Sequence, residues 1–221
     1  MQKFPDLDRF PLYKSIRESQ PVFENQDFIP KIIDDVFSDD QIKEIILLMN
    51  NHPKNKIRVQ PWGGQALFDQ LNVSPDIYAS LLKAANKNFN EKLEIVFVSF
   101  ARYSYEYGYK LKLFPHFDQD EFNEQTMILD VQIKSNSDWD LIIEGAKISL
   151  KDNQGVLFSA TEQLHWREMK ELSRDSEINM VFCWLKPENK RLVTDEFKEM
   201  MNIRAENLRK ETGIYSDAQT I

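Results

Sequence analysis

Between residues 93 and 186 the sequence breaks into short β-branched and aromatic runs, LEIVFVSFARYSY, TMILDVQIK, DLIIEG, AKISL, GVLFSA and INMVFCWLK, separated by turn-like clusters. Such runs predict strands. So many of them in one stretch imply a sandwich or a jelly roll. Helical patterns lie on both sides of the strands rather than between them, which describes an α+β domain whose helices pack on one face of an antiparallel barrel.

The flanking helices carry their own signals. In FSDDQIKEIILLMN, Ser38 and Gln41 have capping-box spacing, and Ile42, Ile45, Ile46 and Met49 recur at helical intervals. Ser74 and Pro75 make a good N-cap and first turn for a second helix, with Ile77, Leu81, Leu82, Ala85 and Phe89 on one side. PWGG at 61–64 reads as a turn between them. A last helix is expected over 194–212, closed by Gly213. The first thirty residues mix proline, aromatics and charge without a period, so an extended arm is expected there. The predicted organisation is one domain over 1–221: the arm at 1–30, helical support at 31–92, the strand core at 93–190, and a C-terminal helix and tail at 191–221.

Composition sets limits on function. The chain has 221 residues, 42% hydrophobic, with a formal charge of -8 and no run of Lys or Arg longer than a pair. It therefore lacks the basic footprint of a nucleic-acid or anionic-membrane binder. The lone cysteine, Cys183, excludes an internal disulfide framework and a thiolate zinc cluster, and its apolar surroundings place it in the core. No apolar stretch has the length of a membrane span or a signal peptide, and a soluble cytoplasmic protein is expected.

The chemistry concentrates in FPHFDQDEF. On an extended strand, residues two apart face the same way, with a rise of about 3.3 Å each, so His116 and Asp118 can aim at one point. With 36 acidic residues in the chain, the pair alone leaves a metal site and a polar stretch near a turn equally open; Asp120 and Glu121 beside it read as exposed loop charge. His52 follows a helix and reads as a capping or C-terminal group. That leaves His165, in GVLFSATEQLHWRE, read as the end of a strand. Two histidines and one carboxylate make a facial triad that leaves three positions open on a ferrous ion, and a jelly roll can bring residues this far apart together. Tyrosines 103, 105, 107 and 109 alternate, so one strand face is expected to carry all four.

With these residues the sequence resembles the iron(II)- and 2-oxoglutarate-dependent dioxygenases, in their prolyl-hydroxylase-like branch. FARYSYEYGYKLKLFPHFD is similar to the family strand that holds a tyrosine and ends in the His-x-Asp motif. EGAKISLKDNQGVLFSATEQLHW is similar to the segment that delivers the distal histidine, and INMVFCWLK to the strand after it. DFIPKIIDDVFSDDQIKEI is a weaker echo of the family's first strand and helix. The resemblance implies a double-stranded β-helix, a cupin-like jelly roll, with His116, Asp118 and His165 as iron ligands and with 2-oxoglutarate and O2 as cosubstrates. It implies a basic residue that pairs with the far carboxylate of 2-oxoglutarate. Arg174 has the family's usual offset from the distal histidine, Arg167 shares the face of His165 if the strand continues, and Lys134 matches the position some relatives use. Tyr103 is expected as a hydroxyl donor to the cosubstrate.

The implied activity is hydroxylation of a C–H bond in a small molecule, an amino acid or a peptidyl residue, with release of succinate and CO2. Because Asp118 is present, halogenation is disfavoured. A non-catalytic jelly-roll binding protein and a hydrolase using the same three ligands are the other classes the residues allow. Neither the substrate nor the oligomeric state is written in a motif.

Overall fold

The computed structural model describes residues 9–19, 28–60, 64–118, 124–189 and 192–214. Asp120, Glu121 and all of the expected PWGG turn except Gly64 lie outside them. Two antiparallel sheets face each other. The larger has the order β1 (Lys31–Ile33), β9 (Gln154–Ser159), β6 (Met127–Ser135), β11 (Glu177–Pro187), β4 (Leu93–Ser104), β3 (Gln65–Phe68), β2 (Ile57–Gln60). The smaller has the order β5 (Lys110–His116), β10 (His165–Glu171), β7 (Leu141–Ile143), β8 (Ala146–Ile148). This is the jelly-roll α+β fold that the strand runs predict.

Alternation along the central strands decides what each face of the larger sheet does. Phe100, Met127, Leu129, Val131, Val181, Cys183 and Leu185 point outward into a core with α2 (Asp39–Asn50) and α3 (Pro75–Asn88), which contribute Ile45, Met49, Ile77, Leu81 and Ala85. Each such side chain is worth roughly 1.5–3 kcal/mol when removed from water. The residues between them, Ser99, Tyr103, Ile128, Asp130, Phe182 and Trp184, face the smaller sheet and line a cavity. Alternation thus assigns stability to one face and chemistry to the other.

The capping box at Ser38 and Gln41 forms as its spacing predicts. Ser74 differs: its own backbone N–H and hydroxyl donate to Glu44 of α2, so it ties the two helices together instead of capping its own. At the C-terminus, α4 (Asp195–Thr212) starts at Thr194, whose hydroxyl accepts from the Phe197 N–H, and ends at Gly213 in the left-handed region.

Four expectations are corrected. The helices do not share one face: α2 and α3 cover the larger sheet, while α4 lies behind the smaller one. Part of the arm is helical: α1 (Pro11–Glu18) packs with α4 over the back of the smaller sheet, where Phe10, Tyr13, Trp166, Phe197 and Met201 share a buried cluster. The β2–β3 hairpin between α2 and α3 is too short to announce itself in sequence, and it widens the larger sheet by two strands. Finally, β4 ends at Ser104 and the chain turns at once, leaving Tyr105 and Tyr109 exposed while Tyr103 alone reaches the cavity.

Burial pushes the Cys183 thiol up to about 12. The thiolate is the reactive form, so native protein at pH 8 should not react with a disulfide reagent such as DTNB. Reaction is expected to track global unfolding across a urea series; fast labelling in native buffer would contradict this packing.

Candidate metal centre and cavity

His116 is the last residue of β5 and His165 the first of β10, and the two are directly paired across the strands. His165 therefore starts a strand rather than ending one. The intervening residues 160–164 are buried as thoroughly as a strand, which explains the misreading. Beyond β5, Phe117 turns away into the cluster under α4, while Asp118 is held by its backbone N–H to the Ala160 carbonyl at 2.8 Å. The carboxylate thereby stays on the side of the histidines.

Each imidazole is oriented by its own chain. His116 Nδ1 lies 2.8 Å from the Phe114 carbonyl and His165 Nδ1 lies 3.1 Å from the Gln163 carbonyl. A carbonyl only accepts, so both Nδ1 atoms carry a proton, and in the neutral imidazole that leaves the Nε2 lone pair for a metal. The two Nε2 atoms lie 3.6 and 3.7 Å from Asp118 Oδ1. Asp118 Oδ2 accepts from Trp184 Nε1 at 2.7 Å, which turns Oδ1 toward the histidines. Among the described residues, these three offer donor atoms all within 4.8 Å of one another. Two neutral nitrogens and one carboxylate oxygen on one side of a point, with a cavity on the other, fit a divalent transition metal with open positions. Burial, and secondarily the neighbouring His116, holds His165 down to about 3 against the opposing pull of Asp118. It is thus already in the neutral form a ligand needs.

The cavity has a volume of about 310 Å³, the lower end of the range for small-molecule sites. Several of its lining residues are both polar and buried. Arg167, two residues past His165 on β10, is buried, donates from Nη1 to the Trp139 carbonyl, and stacks its guanidinium 4.9 Å from the Trp139 ring centroid. Tyr103 accepts from Gln65 Nε2 at 2.7 Å, and burial raises its hydroxyl above the ordinary range, so it keeps a proton to donate. Neither rival of Arg167 lines the cavity. Arg174 is exposed in the turn after β10, and Lys134 is exposed on β6 opposite a register shift between Asn179 and Met180.

Two cavity residues escape the motifs. Trp184 reads in sequence as core or pocket wall, and only the β11 register puts its indole on Asp118. Asp130 sits in TMILDVQIK, where nothing local marks it. It is 5% exposed, and its Oδ1 has no hydrogen-bond partner among the described residues. Burial raises its carboxyl to about 7, with Asp118 adding to the shift and Arg167 opposing it.

No protein family and no curated protein is matched by the sequence. Solved structures are matched by shape. HygX from Streptomyces hygroscopicus with nickel and 2-oxoglutarate bound aligns with a TM-score of 0.55 at 10% identity, over 76% of this chain and 89% of that one. A prolyl hydroxylase from Trichoplax adhaerens, in complex with a hypoxia inducible factor peptide fragment, gives 0.54 at 12% identity over 82% and 91%. EctD from S. alaskensis with bound Fe gives 0.53 at 13% identity, over 74% of each chain. The fold is the one these proteins share. At such identities the likeness speaks for architecture, and the chemistry has to be argued from the side chains above.

Asp130 generates a prediction. A carboxyl whose folded value lies above its unfolded value of 3.8 binds more protons folded than unfolded, so it costs stability as pH rises from about 4 to 7. Metal-free Asp130→Asn is expected to gain stability over the parent through that window and to hold a constant advantage above it. At about 1.4 kcal/mol per pH unit, the ceiling is roughly 4 kcal/mol. Urea melts at pH 5, 6, 7 and 8 measure it; a difference independent of pH would refute the assignment.

Proposed function

We propose that the protein is an iron(II)- and 2-oxoglutarate-dependent oxygenase that hydroxylates a C–H bond in a small molecule, an amino acid or a peptidyl residue. One observation carries this reading: His116 Nε2, His165 Nε2 and Asp118 Oδ1 converge at a cavity that the buried Arg167 also lines. A metal site of this donor set beside a buried guanidinium suits a cosubstrate that chelates with one end and bears a carboxylate at the other. Bound iron, with O2 and 2-oxoglutarate, would supply the oxidising chemistry, yielding succinate and CO2 alongside the hydroxylated product.

The chain's own residues do the positioning. His116, Asp118 and His165 would hold the metal on one side only, leaving the cavity side open. Arg167, braced by the Trp139 carbonyl and ring, would pair with the far carboxylate, for which the guanidinium fork is well shaped. Tyr103, with its oxygen already accepting from Gln65, would donate its hydroxyl proton to that same carboxylate. Trp184 keeps one oxygen of Asp118 occupied so that the other stays aimed. Leu67, Leu113, Ile128 and Phe182 give the cavity apolar walls, which would limit water around a bound substrate.

Among the described residues no helix is long and apolar enough to cross a membrane, and a cytoplasmic setting accords with the buried free thiol. A second reading, a metal-dependent hydrolase on the same ligands, draws some support from Asp130, a carboxyl near 7 that could serve as a general base. That reaction would run without oxygen.

The deciding assay is succinate release from 2-oxoglutarate with iron(II) in air, screened across amino acids, peptides and small natural products. We expect succinate release that requires air and that His116→Ala abolishes without unfolding the chain; cleavage of a screened compound in the absence of oxygen, with no succinate formed, would favour the hydrolase. Arg167→Met is expected to weaken 2-oxoglutarate binding by at least about 30-fold, the usual penalty for truncating one side of a buried charge pair. Arg174→Ala should leave that affinity unchanged. Trp184→Phe is expected to lower nickel affinity by roughly 10–100-fold, the typical effect of losing the partner that orients a ligand, measured by calorimetric titration.

A further inference from the structure

The loop between β7 and β8 breaks a local rule. Ile143 and Ala146 pair directly, so Glu144 and Gly145 form a two-residue hairpin loop, with φ of 48° and 84°. Both positions lie in the left-handed region, where asparagine, aspartate and glycine are favoured. Gly145 fits without strain. Glu144 does not, and a strained residue persists where its surroundings over-determine it.

Those surroundings are specific. Glu144 is fully buried, and its carboxylate accepts five hydrogen bonds from four groups. Oε1 accepts from the Leu164 backbone N–H at 2.8 Å and from Arg204 Nη2 at 3.1 Å. Oε2 accepts from Arg204 Nη2 at 2.9 Å, from Arg17 Nε at 2.7 Å and from the Tyr13 hydroxyl. The Glu144 backbone N–H in turn donates to the Leu164 carbonyl at 2.8 Å. Leu164 is thus clasped on both its N–H and its C=O by one residue, and the next residue is His165. Ile143, just before Glu144, is the cross-strand neighbour of His165. The donors to the far oxygen come from α1 and α4, segments that contribute no side chain to the cavity lining.

We propose that Glu144 is a positioning residue for the His165 imidazole, and that α1 and α4, through Tyr13, Arg17 and Arg204, are part of the frame of the metal centre. The inference rests on the metal-site reading above. The left-handed backbone is needed because it turns the Glu144 side chain back under the hairpin to reach Leu164. An asparagine would relieve the turn but is one methylene too short to span Leu164 and both helices. Removing a donor from this network changes how firmly the backbone before His165 is fixed, and through it the aim of Nε2.

Cobalt(II) binding to the full chain tests this, since its visible absorption reports ligand geometry and needs no turnover. Tyr13→Phe deletes one hydroxyl and keeps the packed ring, and Glu144→Gln deletes the charge. Met49→Ala, in the core under α2 on the far side of the larger sheet, serves as a control for lost stability alone. At a temperature well below every melting point, Tyr13→Phe and Glu144→Gln are expected to bind cobalt about tenfold more weakly and with an altered visible spectrum. Met49→Ala should bind like the parent although it melts earlier. Should Glu144→Gln fail to fold, Tyr13→Phe and Arg17→Gln give the same readout. Parent-like affinity and spectrum in the Tyr13 and Glu144 variants, with only their melting points lowered, would reduce the network to a structural role and overturn the proposal. A parent protein that binds no cobalt would instead overturn the metal-site reading on which it rests.

Discussion

The pairing of His116 with His165 is the constraint on which the site depends. In an antiparallel ladder a slip of one residue moves a side chain to the opposite face, so the two imidazoles share a cavity only in this register. The register is enforced from both sides of β10: β5 supplies His116 and β7 supplies Ile143 opposite the same residue. Beyond it, shifts on either side of Arg167 let the strand loosen. The ladder thus pairs the two histidines directly and turns irregular just after them, as the chain runs out to exposed Met169.

Buried charge is distributed in two different ways. Around Glu144 every oxygen has donors, and Arg204 opposite it is fully buried as well. A pair of this kind contributes little net stability relative to apolar replacements, yet is costly to break from one side, so it serves better to specify one arrangement of the helices than to hold the fold together. In the cavity, Asp130 Oδ1 has no partner among the described residues, and Arg167 donates through Nη1 to the Trp139 carbonyl. A carboxylate oxygen left without a partner in a cavity carries free energy that a ligand can recover, whereas both oxygens of Glu144 are already taken.

What the sequence disclosed and what it hid follow from the range of the interactions. The strand core, the capped helices and the three candidate ligands were legible because alternation, cap spacing and the rarity of histidine are local or compositional. Which of Arg167, Arg174 and Lys134 lines the cavity was not, since it turns on where β10 begins and on a shift in the β6–β11 register. Helix α1 was hidden by the prolines and aromatics around it: its burial comes from α4, nearly two hundred residues away, and its own pattern is short. The indole of Trp184 on Asp118 and the carboxylate of Glu144 on Leu164 span 66 and 20 residues, with no motif at either end.

Where local rules fail, a tertiary demand has usually overridden them. Glutamate at the first position of a left-handed hairpin loop and aspartate in the middle of a buried strand are both poor local choices. A chain folding for stability alone would place asparagine in the first position and valine or isoleucine in the second. The two departures lie on either side of the same histidine. Glu144 fixes the backbone before His165 from behind the smaller sheet, and Asp130 faces the cavity from the larger one. Strain and uncompensated charge therefore bracket the one point where three donor atoms converge, and the rest of the core, apolar and in register, carries their cost.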